Sequence, residues 1–264
     1  MKMKTLVFGD IHGRDCWKDI IKKEKPDKVI FLGDYVSTHD DIDSGTQLEN
    51  LHEILSSKEE WGDNMILLRG NHDMQHLGYS WAACSGHDRY VEIGMTKIKD
   101  DFLAATQWIY VDDDMVFSHA GISEVWMKNV GLDDVNKIND LEPSEKFGFW
   151  PCKFSDYSGI SETQPPTWIR PWTLLDCAFG YYTYVVGHTP LGGCKMRQHI
   201  ACLNDEIISQ YTSSMQFISK DEQEKLIERM KTTNRIWCCD ALPYQYLIIE
   251  DGEFIAKDCN ISKN

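Results

Sequence analysis

Seven short apolar runs recur along the chain, and each stops at or close to a glycine, an aspartate or a histidine. They cover residues 5–8, 29–32, 65–68, 115–118, 184–186, 236–239 and 246–250. Their length and their content of valine, isoleucine and phenylalanine are typical of buried strands. We therefore predict one strand at each run.

Two segments between the first runs, residues 15–24 and 46–61, place apolar side chains at helical spacing. The apolar positions are Trp17, Ile20 and Ile21 in the first segment and Leu48, Leu51, Ile54 and Leu55 in the second. Farther along, Ser219 and Glu222 have the spacing of a capping box, which predicts an exposed helix over residues 223–231. Strands that alternate with helices predict an α/β sheet packed by helices, here in a single domain over residues 1–264.

Composition narrows the class of protein. The chain has 264 residues and a formal net charge of −15, which disfavours a protein that follows a long nucleic-acid backbone. No run approaches the ~18 apolar residues of a membrane span, so we expect no membrane association. Nine cysteines without Cys-x-x-Cys spacing are expected to be reduced and mostly buried, which favours a cytoplasmic location. No obligate protein partner is evident.

Polar side chains stand directly after five of the predicted strands, and they are the informative feature of the chain. The residues there are Asp10 with His12, Asp34, Asn71 with His72, His119, and His188. In open α/β sheets, sites form outside the carboxyl ends of the strands. Leaving His72 aside, six oxygen and nitrogen ligands are too many for one tetrahedral zinc site with an open position. They suit two divalent ions about 3.5–4 Å apart, with Asp34 as our choice of bridge.

The ordered set of motifs resembles the calcineurin-like metallophosphoesterases. The motifs are GDIHG at residues 9–13, GD at 33–34, GNHD at 70–73, HAG at 119–121 and GHT at 187–189. Within this superfamily the chain most resembles the Ser/Thr phosphoprotein phosphatase branch, which includes bacterial and phage enzymes and the symmetrical dinucleoside-tetraphosphate hydrolases. A weaker match continues through residues 239–241 and 246–250. The resemblance implies a four-layer fold, in which a central β-sandwich is flanked by helices, rather than a single doubly wound sheet.

The resemblance also implies which residues bind metal. Asp10 and His12 would hold the first ion with bridging Asp34, and Asn71, His119 and His188 would hold the second. A hydroxide between the ions would attack phosphorus directly, without a phosphoenzyme. A ligand set of imidazoles and carboxylates without a thiolate does not select one metal. Manganese is the expected ion, with iron, zinc, cobalt and nickel as alternatives.

Three further residues take catalytic roles in this resemblance. His72 would protonate or orient the leaving oxygen, a role that suits a side chain with a pKa near neutrality. Arg69 and Arg170 would bind phosphate oxygens through their planar guanidinium groups. Arg14, beside the first motif, is instead expected to be a surface residue at the start of a helix.

The second motif departs from the family pattern. The phosphatase branch usually reads Gly-Asp-x-Val-Asp-Arg-Gly, and here Ser37 and Thr38 stand in place of the Asp and the Arg. That Asp normally orients the catalytic histidine and that Arg normally binds phosphate. Because Ser37 and Thr38 carry no charge, His39, Asp40 and Asp41 are candidates to replace them. The change weakens the expectation of protein-phosphatase activity and suggests a different mode of substrate binding.

An aromatic-rich loop is expected over residues 147–172, and long ordered loops are often functional. Its tryptophans Trp150, Trp168 and Trp172 either pack in the core or stack on a base or side chain of the substrate.

Three functions remain open. The first is a phosphatase for a phosphoprotein or a small phosphorylated molecule, and the second is a nucleotide or dinucleoside-polyphosphate hydrolase. The third is a metal-binding scaffold without catalysis. Retention of His72 and of the complete ligand set favours an enzyme over the scaffold.

Overall fold

A computed structural model describes residues 3–38, 40–79, 84–143, 161–191, 198–213 and 220–259. Three features of the sequence therefore lie outside the described residues. They are His39, the capping serine Ser219, and most of the predicted aromatic loop, including Trp150.

Ten strands form two five-stranded sheets within the described residues. They are β1 (Lys4–Phe8), β2 (Lys28–Phe31), β3 (Met65–Leu67), β4 (Ile109–Asp112), β5 (Met115–Ser118), β6 (Thr183–Val186), β7 (Ala201–Cys202), β8 (Ile236–Cys238), β9 (Gln245–Glu250) and β10 (Glu253–Asp258). The strand orders are β10-β9-β1-β2-β3 and β4-β5-β6-β8-β7. Strands β1, β2 and β3 are parallel to one another, as are β5, β6 and β8. All seven predicted strands are confirmed, whereas β4, β7 and β10 were not predicted.

Nine α-helices lie in the described residues. They are α1 (Trp17–Glu24), α2 (Ser44–Trp61), α3 (Asn71–His76), α4 (Arg89–Lys97), α5 (Lys99–Ala105), α6 (Glu124–Asn129), α7 (Pro171–Cys177), α8 (Leu203–Ser213) and α9 (Lys220–Thr232), with 3₁₀ turns at Gly62–Asn64 and Val135–Asp140. The three predicted helices are confirmed with shifted ends. Helix α2 begins earlier than predicted because the Asp43 carboxylate caps it, accepting a hydrogen bond from the Thr46 backbone N–H.

Strand β1 shows why the chain forms a sandwich. Leu6 and Phe8 belong to the large apolar cluster that includes Trp17 of α1. Between them, Val7 belongs to a second cluster that contains Val185 of the other sheet. Because β1 is buried on both faces, its sequence is a continuous apolar run rather than an alternating one. Two sheets packed together and flanked by helices confirm the predicted fold class.

Polar side chains of α2 hold the loops that leave β1 and β2. Gln47 accepts a hydrogen bond from the Ser37 N–H at 2.9 Å. Asn50 donates to the backbone oxygen of Arg14 at 3.1 Å and accepts from the Trp17 indole N–H at 2.9 Å. All three side-chain contacts are buried or partly buried, so they position the loops that carry the predicted ligands.

No helix in the described residues has both the length and the apolar character needed to cross a bilayer. The seven cysteines described by the structure are all free, and five of them are buried, as the sequence predicted.

Candidate metal centre

The carboxyl ends of the parallel strands of both sheets meet at one edge of the sandwich. Two groups of possible ligands form there: Asp10, His12 and Asp34 in one, and Asp34, His119 and His188 in the other. Within each group, one ligand atom from every residue lies within 4.8 Å of the others. Asp34 belongs to both groups, which is the position expected of a bridging carboxylate.

Two histidines are oriented by backbone carbonyls. Nδ1 of His119 lies 2.9 Å from the Leu32 oxygen, and Nδ1 of His12 lies 3.1 Å from the Val36 oxygen. Because a carbonyl oxygen only accepts, each Nδ1 carries the proton in the neutral ring and each Nε2 is a lone-pair donor. Nε2 of His119 lies 3.4 Å from the carboxylate of Asp34.

Asn71 completes the second group. Its side-chain oxygen lies 2.9 Å from Nε2 of His119 and the residue is 2% exposed. It is the first residue of α3, directly after the loop that leaves β3. The structure thus brings all six predicted ligands to one site.

The backbone is strained at three of these positions. His12, Asp34 and His188 have φ angles of 47°, 53° and 60°, in the left-handed region that side chains other than glycine rarely adopt. Such conformations persist only where the surroundings enforce them, and they cluster at functional sites.

Two motif glycines make room for the carboxylates. A Cβ at Gly187 would overlap Oδ1 of Asp10, and a Cβ at Gly70 would overlap Oδ1 of Asp34. Glycine is therefore required at these two positions, because a carboxylate oxygen lies where a Cβ atom would be.

Four buried carboxylates lie in this region. Burial raises the pKa of Asp10 well above its ordinary value, and the negative charges of Asp240 and Asp73 raise it further. Burial likewise raises the pKa of Asp34, with repulsion from Asp10, Asp73 and Asp240 added. Burial raises the pKa of Asp73 to about 7 and that of Asp240 to about 6. Bound cations would offset this repulsion.

The imidazoles are suited to the same ions. Burial lowers the pKa of His119 to about 3 and lowers that of His188 well below its ordinary value. Both rings are therefore neutral, the form that binds metal. Within the described residues, the buried Nε2 of His188 has no hydrogen-bond partner. A buried polar atom of this kind needs a partner, so the donor set fits divalent cations.

His72 lies beside the ligands. Its backbone N–H donates to Asp34 at 2.9 Å, and its Nε2 lies 4.0 Å from the same carboxylate. Its Nδ1 lies 2.7 Å from Oγ of Ser37, and that hydroxyl lies 2.8 Å from the Gly86 oxygen. The hydroxyl donates to the carbonyl and so accepts from Nδ1–H.

Ser37 was not expected to make this contact. His39, Asp40 and Asp41 were the predicted replacements for the missing aspartate, yet Ser37 itself contacts the histidine. Asp40 instead forms an ion pair with Arg14, with 2.8 Å between Nε and Oδ2. His39 lies outside the described residues.

Arg69 has different contacts from the predicted ones. Its Nε donates to the Thr106 hydroxyl at 3.0 Å, and its Nη2 donates to the backbone oxygens of Leu103 and Thr106 at 2.8 and 2.7 Å. The guanidinium also lies 4.8 Å from the centre of the Trp108 ring. These contacts give Arg69 a structural environment beside the site, and this geometry does not favour a phosphate contact.

Arg170 lines a cavity of about 790 Å³ together with five of the six predicted ligands, all but His119. Its Nη1 donates to the backbone oxygen of His188 at 3.2 Å and to the Thr189 hydroxyl at 3.0 Å. Trp168 also lines this cavity, and its ring centre lies 5.4 Å from that of His188. Trp172 is 48% exposed and is not among the described lining residues.

Two lining residues had no predicted role in the site. Asp240 comes after β8, as the predicted ligands come after their strands, and it is 9% exposed in the cavity wall. Its position at a strand end, in the weaker match at residues 239–241, was the available signal. Arg14 was predicted to be a surface residue, but its side chain is only 16% exposed and lines the cavity.

Comparisons with known proteins find similarity in sequence and in fold. The profile of a family described as calcineurin-like phosphoesterase matches residues 3–214. A curated relative from Encephalitozoon cuniculi, described as a probable serine/threonine-protein phosphatase, is 26% identical over 152 residues. That match covers 54% of this chain and 32% of the relative, so the chain spans about a third of the relative's length.

Solved structures support the fold. A cold-active protein-tyrosine phosphatase of a psychrophilic Shewanella species has a TM-score of 0.57 at 17% identity, covering 98% of this chain and 78% of the other. A second structure described as a cold-active protein tyrosine phosphatase has a TM-score of 0.59 at 16% identity, covering 98% and 77%. At these identities the likeness concerns the fold alone.

Proposed function

The chain belongs to the calcineurin-like phosphoesterase family, and from this premise we propose that it hydrolyses phosphomonoesters, on a phosphoprotein or a small phosphorylated molecule. The observation that carries the proposal is the pair of ligand groups that share Asp34, which lines one cavity together with Asp10, His12 and His188. This arrangement suits two neighbouring divalent ions, which are a recurrent device for phosphoryl chemistry.

Each residue has a defined task in this proposal. Asp10 and His12 would hold one ion, Asn71, His119 and His188 would hold the other, and Asp34 would be shared between them. When bound, the ions supply Lewis acidity and a nucleophilic water at neutral pH. Manganese is the proposed metal, with iron, zinc, cobalt and nickel as alternatives.

His72 is the proposed general acid. Its Nδ1 is held by Ser37, so Nε2 is the atom that delivers a proton to the leaving oxygen. Arg170 binds phosphate oxygens from the wall of the cavity, where its charge also offsets the developing negative charge. Water is the second substrate of the proposed hydrolysis.

Hydrolysis of p-nitrophenyl phosphate tests the proposal. We expect turnover with added Mn²⁺ and its loss with EDTA. We expect His72→Asn to lower kcat by about 10²–10⁴-fold with metal content retained. His52→Asn, at an exposed position on α2, is the matched control and should leave turnover unchanged. Absence of turnover in the parent protein with all five metals would refute the proposal.

A nucleotide or dinucleoside polyphosphate is the second candidate substrate. Trp168 lines the cavity next to His188, and Tyr244, which is 43% exposed, lines it too. Aromatic faces at a phosphate site can stack on a base. A panel of phosphopeptides, nucleotides and dinucleoside polyphosphates, ranked by kcat/KM, separates the two candidates.

A scaffold without catalysis predicts a different result. It would bind metal stoichiometrically and show no turnover with any member of that panel. The contacts of His72 with Asp34 and Ser37 favour the enzyme, since a scaffold has no need for a positioned histidine beside the ligands.

We also propose a cytoplasmic location, without binding to long nucleic acids or membranes and without an obligate protein partner. The free cysteines of the described residues support the location, and the net charge of −15 supports the absence of binding to long nucleic acids. Cell fractionation, and light scattering of the purified chain alone, test them.

A further inference from the structure

The position of Arg14 differs from the surface position that the sequence predicted. It comes after the loop that carries Asp10 and His12, and its side chain lines the same cavity as His72 and Arg170. Only 16% of the side chain is exposed. A charged group with so little contact with water needs partners or a ligand.

The backbone of Arg14 is fixed on both sides. Its N–H donates to the oxygen of Ile11 at 3.0 Å, and its own oxygen accepts from the side chain of Asn50 at 3.1 Å. Asn50 is itself buried and bound to the indole of Trp17. The point from which the arginine side chain extends is therefore held by α2.

The guanidinium is held at one edge. Its Nε donates to the carboxylate of Asp40 at 2.8 Å, and its Nη1 makes a long contact of 3.5 Å with the backbone oxygen of Asp10. Among the described residues, the structure shows no hydrogen bond from Nη2. A guanidinium presents its donors in a rigid planar fork, so anchoring Nε leaves donors for an oxyanion.

Two guanidinium groups thus flank the ligand groups from different parts of the chain. Both line the same cavity as the buried carboxylate of Asp240. Asp40 is 49% exposed, so its charge is partly screened by water. Thr38, which stands where the related phosphatases carry an arginine, contributes no charge.

We propose that Arg14 is a second phosphate-binding arginine, which binds the oxygens of the same phosphoryl group as Arg170 and supplies the charge that Thr38 lacks. The identity of the ligand rests on the proposed function. Paired guanidinium groups favour a terminal phosphate, which carries more negative charge and more free oxygens than a phosphodiester.

Binding of inorganic phosphate to the full chain, measured by isothermal titration calorimetry at saturating Mn²⁺, tests Arg14 directly. We expect Arg14→Gln to weaken phosphate binding by about 10- to 100-fold, the range for a lost charge-assisted hydrogen bond. Arg14→Lys keeps the charge without the fork and should weaken it by a smaller factor. Arg235→Gln, which removes an exposed arginine paired with Asp205, is the matched control and should not change it.

An affinity within twofold of the parent in Arg14→Gln would overturn the proposal and leave Arg14 as a structural partner of Asp40. If Arg14→Gln does not fold, as judged by thermal melting, unchanged affinity in Arg14→Lys has the same meaning. Failure of the proposed function would give a different experimental result. It would appear as absent p-nitrophenyl phosphate turnover in the parent protein, whatever the phosphate affinities.

Discussion

The Ser37 hydroxyl lies 2.7 Å from Nδ1 of His72, so a neutral group contacts the histidine at the position where the resemblance implies an aspartate. Ser37 is completely buried, and its backbone has a φ angle of 74°. Its N–H is held by Gln47 and its hydroxyl by the Gly86 oxygen. The serine therefore orients the histidine ring without adding a charge.

Removing this hydroxyl should slow the chemical step. We expect Ser37→Ala to lower kcat by about tenfold, equivalent to one hydrogen bond, with KM and metal content unchanged. Ser37→Asp restores the contact and should retain more activity than the alanine variant. Steady-state kinetics together with metal analysis measure these effects.

Ser118 provides the matched control for that experiment. It is also completely buried, but its Oγ makes no hydrogen bond in the described part of the chain. Ser118→Ala should leave kcat unchanged. An unchanged kcat in Ser37→Ala as well would show that the contact does not orient His72.

A substitution at Gly187 tests whether metal binding requires the carboxylate of Asp10 at its present position. The Cβ of Gly187→Ala would overlap Oδ1 of Asp10, which accepts a hydrogen bond from the His188 N–H at 2.8 Å. We expect the variant to bind Mn²⁺ at least about tenfold more weakly, because the carboxylate must move away. Titration with Mn²⁺ measures the change.

Gly45, in the first turn of α2, is the control for replacing a glycine. There a Cβ would meet only Oδ1 of Asp43, at 3.1 Å, and alanine favours the helix. Gly45→Ala should keep the Mn²⁺ affinity of the parent. If Gly187→Ala binds Mn²⁺ as tightly as the parent protein does, Asp10 is not a metal ligand.

Substitutions of Arg69 and Arg170, the two phosphate-binding arginines proposed from the sequence, should have different effects on stability and on phosphate affinity. Arg69→Met loses three hydrogen bonds to Thr106 and Leu103, so its free energy of unfolding should fall by about 2–4 kcal/mol. Its phosphate affinity should remain that of the parent. Arg170→Met loses the two hydrogen bonds of Nη1, so its free energy of unfolding should fall less than that of Arg69→Met, while its phosphate affinity should be reduced. Reduced phosphate affinity in a folded Arg69→Met protein would restore the original prediction.

The strands, and the convergence of the predicted ligands at their ends, are the parts of the molecule that sequence alone predicts well. Strands such as β1 are buried on both faces, so they are visible as apolar runs, and the motifs stand at their ends. Strand β10 has mostly exposed side chains and no such run, so it was missed. The ligands could be predicted because their backbone positions are set by the topology.

The arginines could not be predicted in the same way. The direction of the Arg14 side chain depends on Asp40, which lies 26 residues away, and that of Arg69 depends on Thr106, which lies 37 residues away. Neither partner belongs to a motif. The contact between Ser37 and His72 also joins a loop to helix α3 from a position 35 residues away, so only the three-dimensional structure showed that a serine can contact this histidine.

Glu24, at the end of α1, should make stability depend on pH. Burial alone would raise the pKa of Glu24, but hydrogen bonds from Lys4, Tyr246 and Lys257 outweigh it and lower the pKa from 4.5 to about 2. The unfolded chain therefore takes up this proton first as the pH falls. The stabilisation is complete above about pH 4.5 and is lost as the pH falls towards 2. Urea unfolding between pH 7 and pH 3 measures it.

Glu24→Gln should remove this part of the pH dependence. We expect the variant to be less stable by about 1 kcal/mol at pH 7, a value reduced by solvent screening near the surface, with the difference shrinking as the pH approaches 2. Asp133→Asn is the control, since that carboxylate pairs with Lys137 but is 86% exposed, and it should have little effect. A difference between parent and Glu24→Gln that stays constant across the pH range would mean that the Glu24 contacts stabilise the fold by packing rather than by charge.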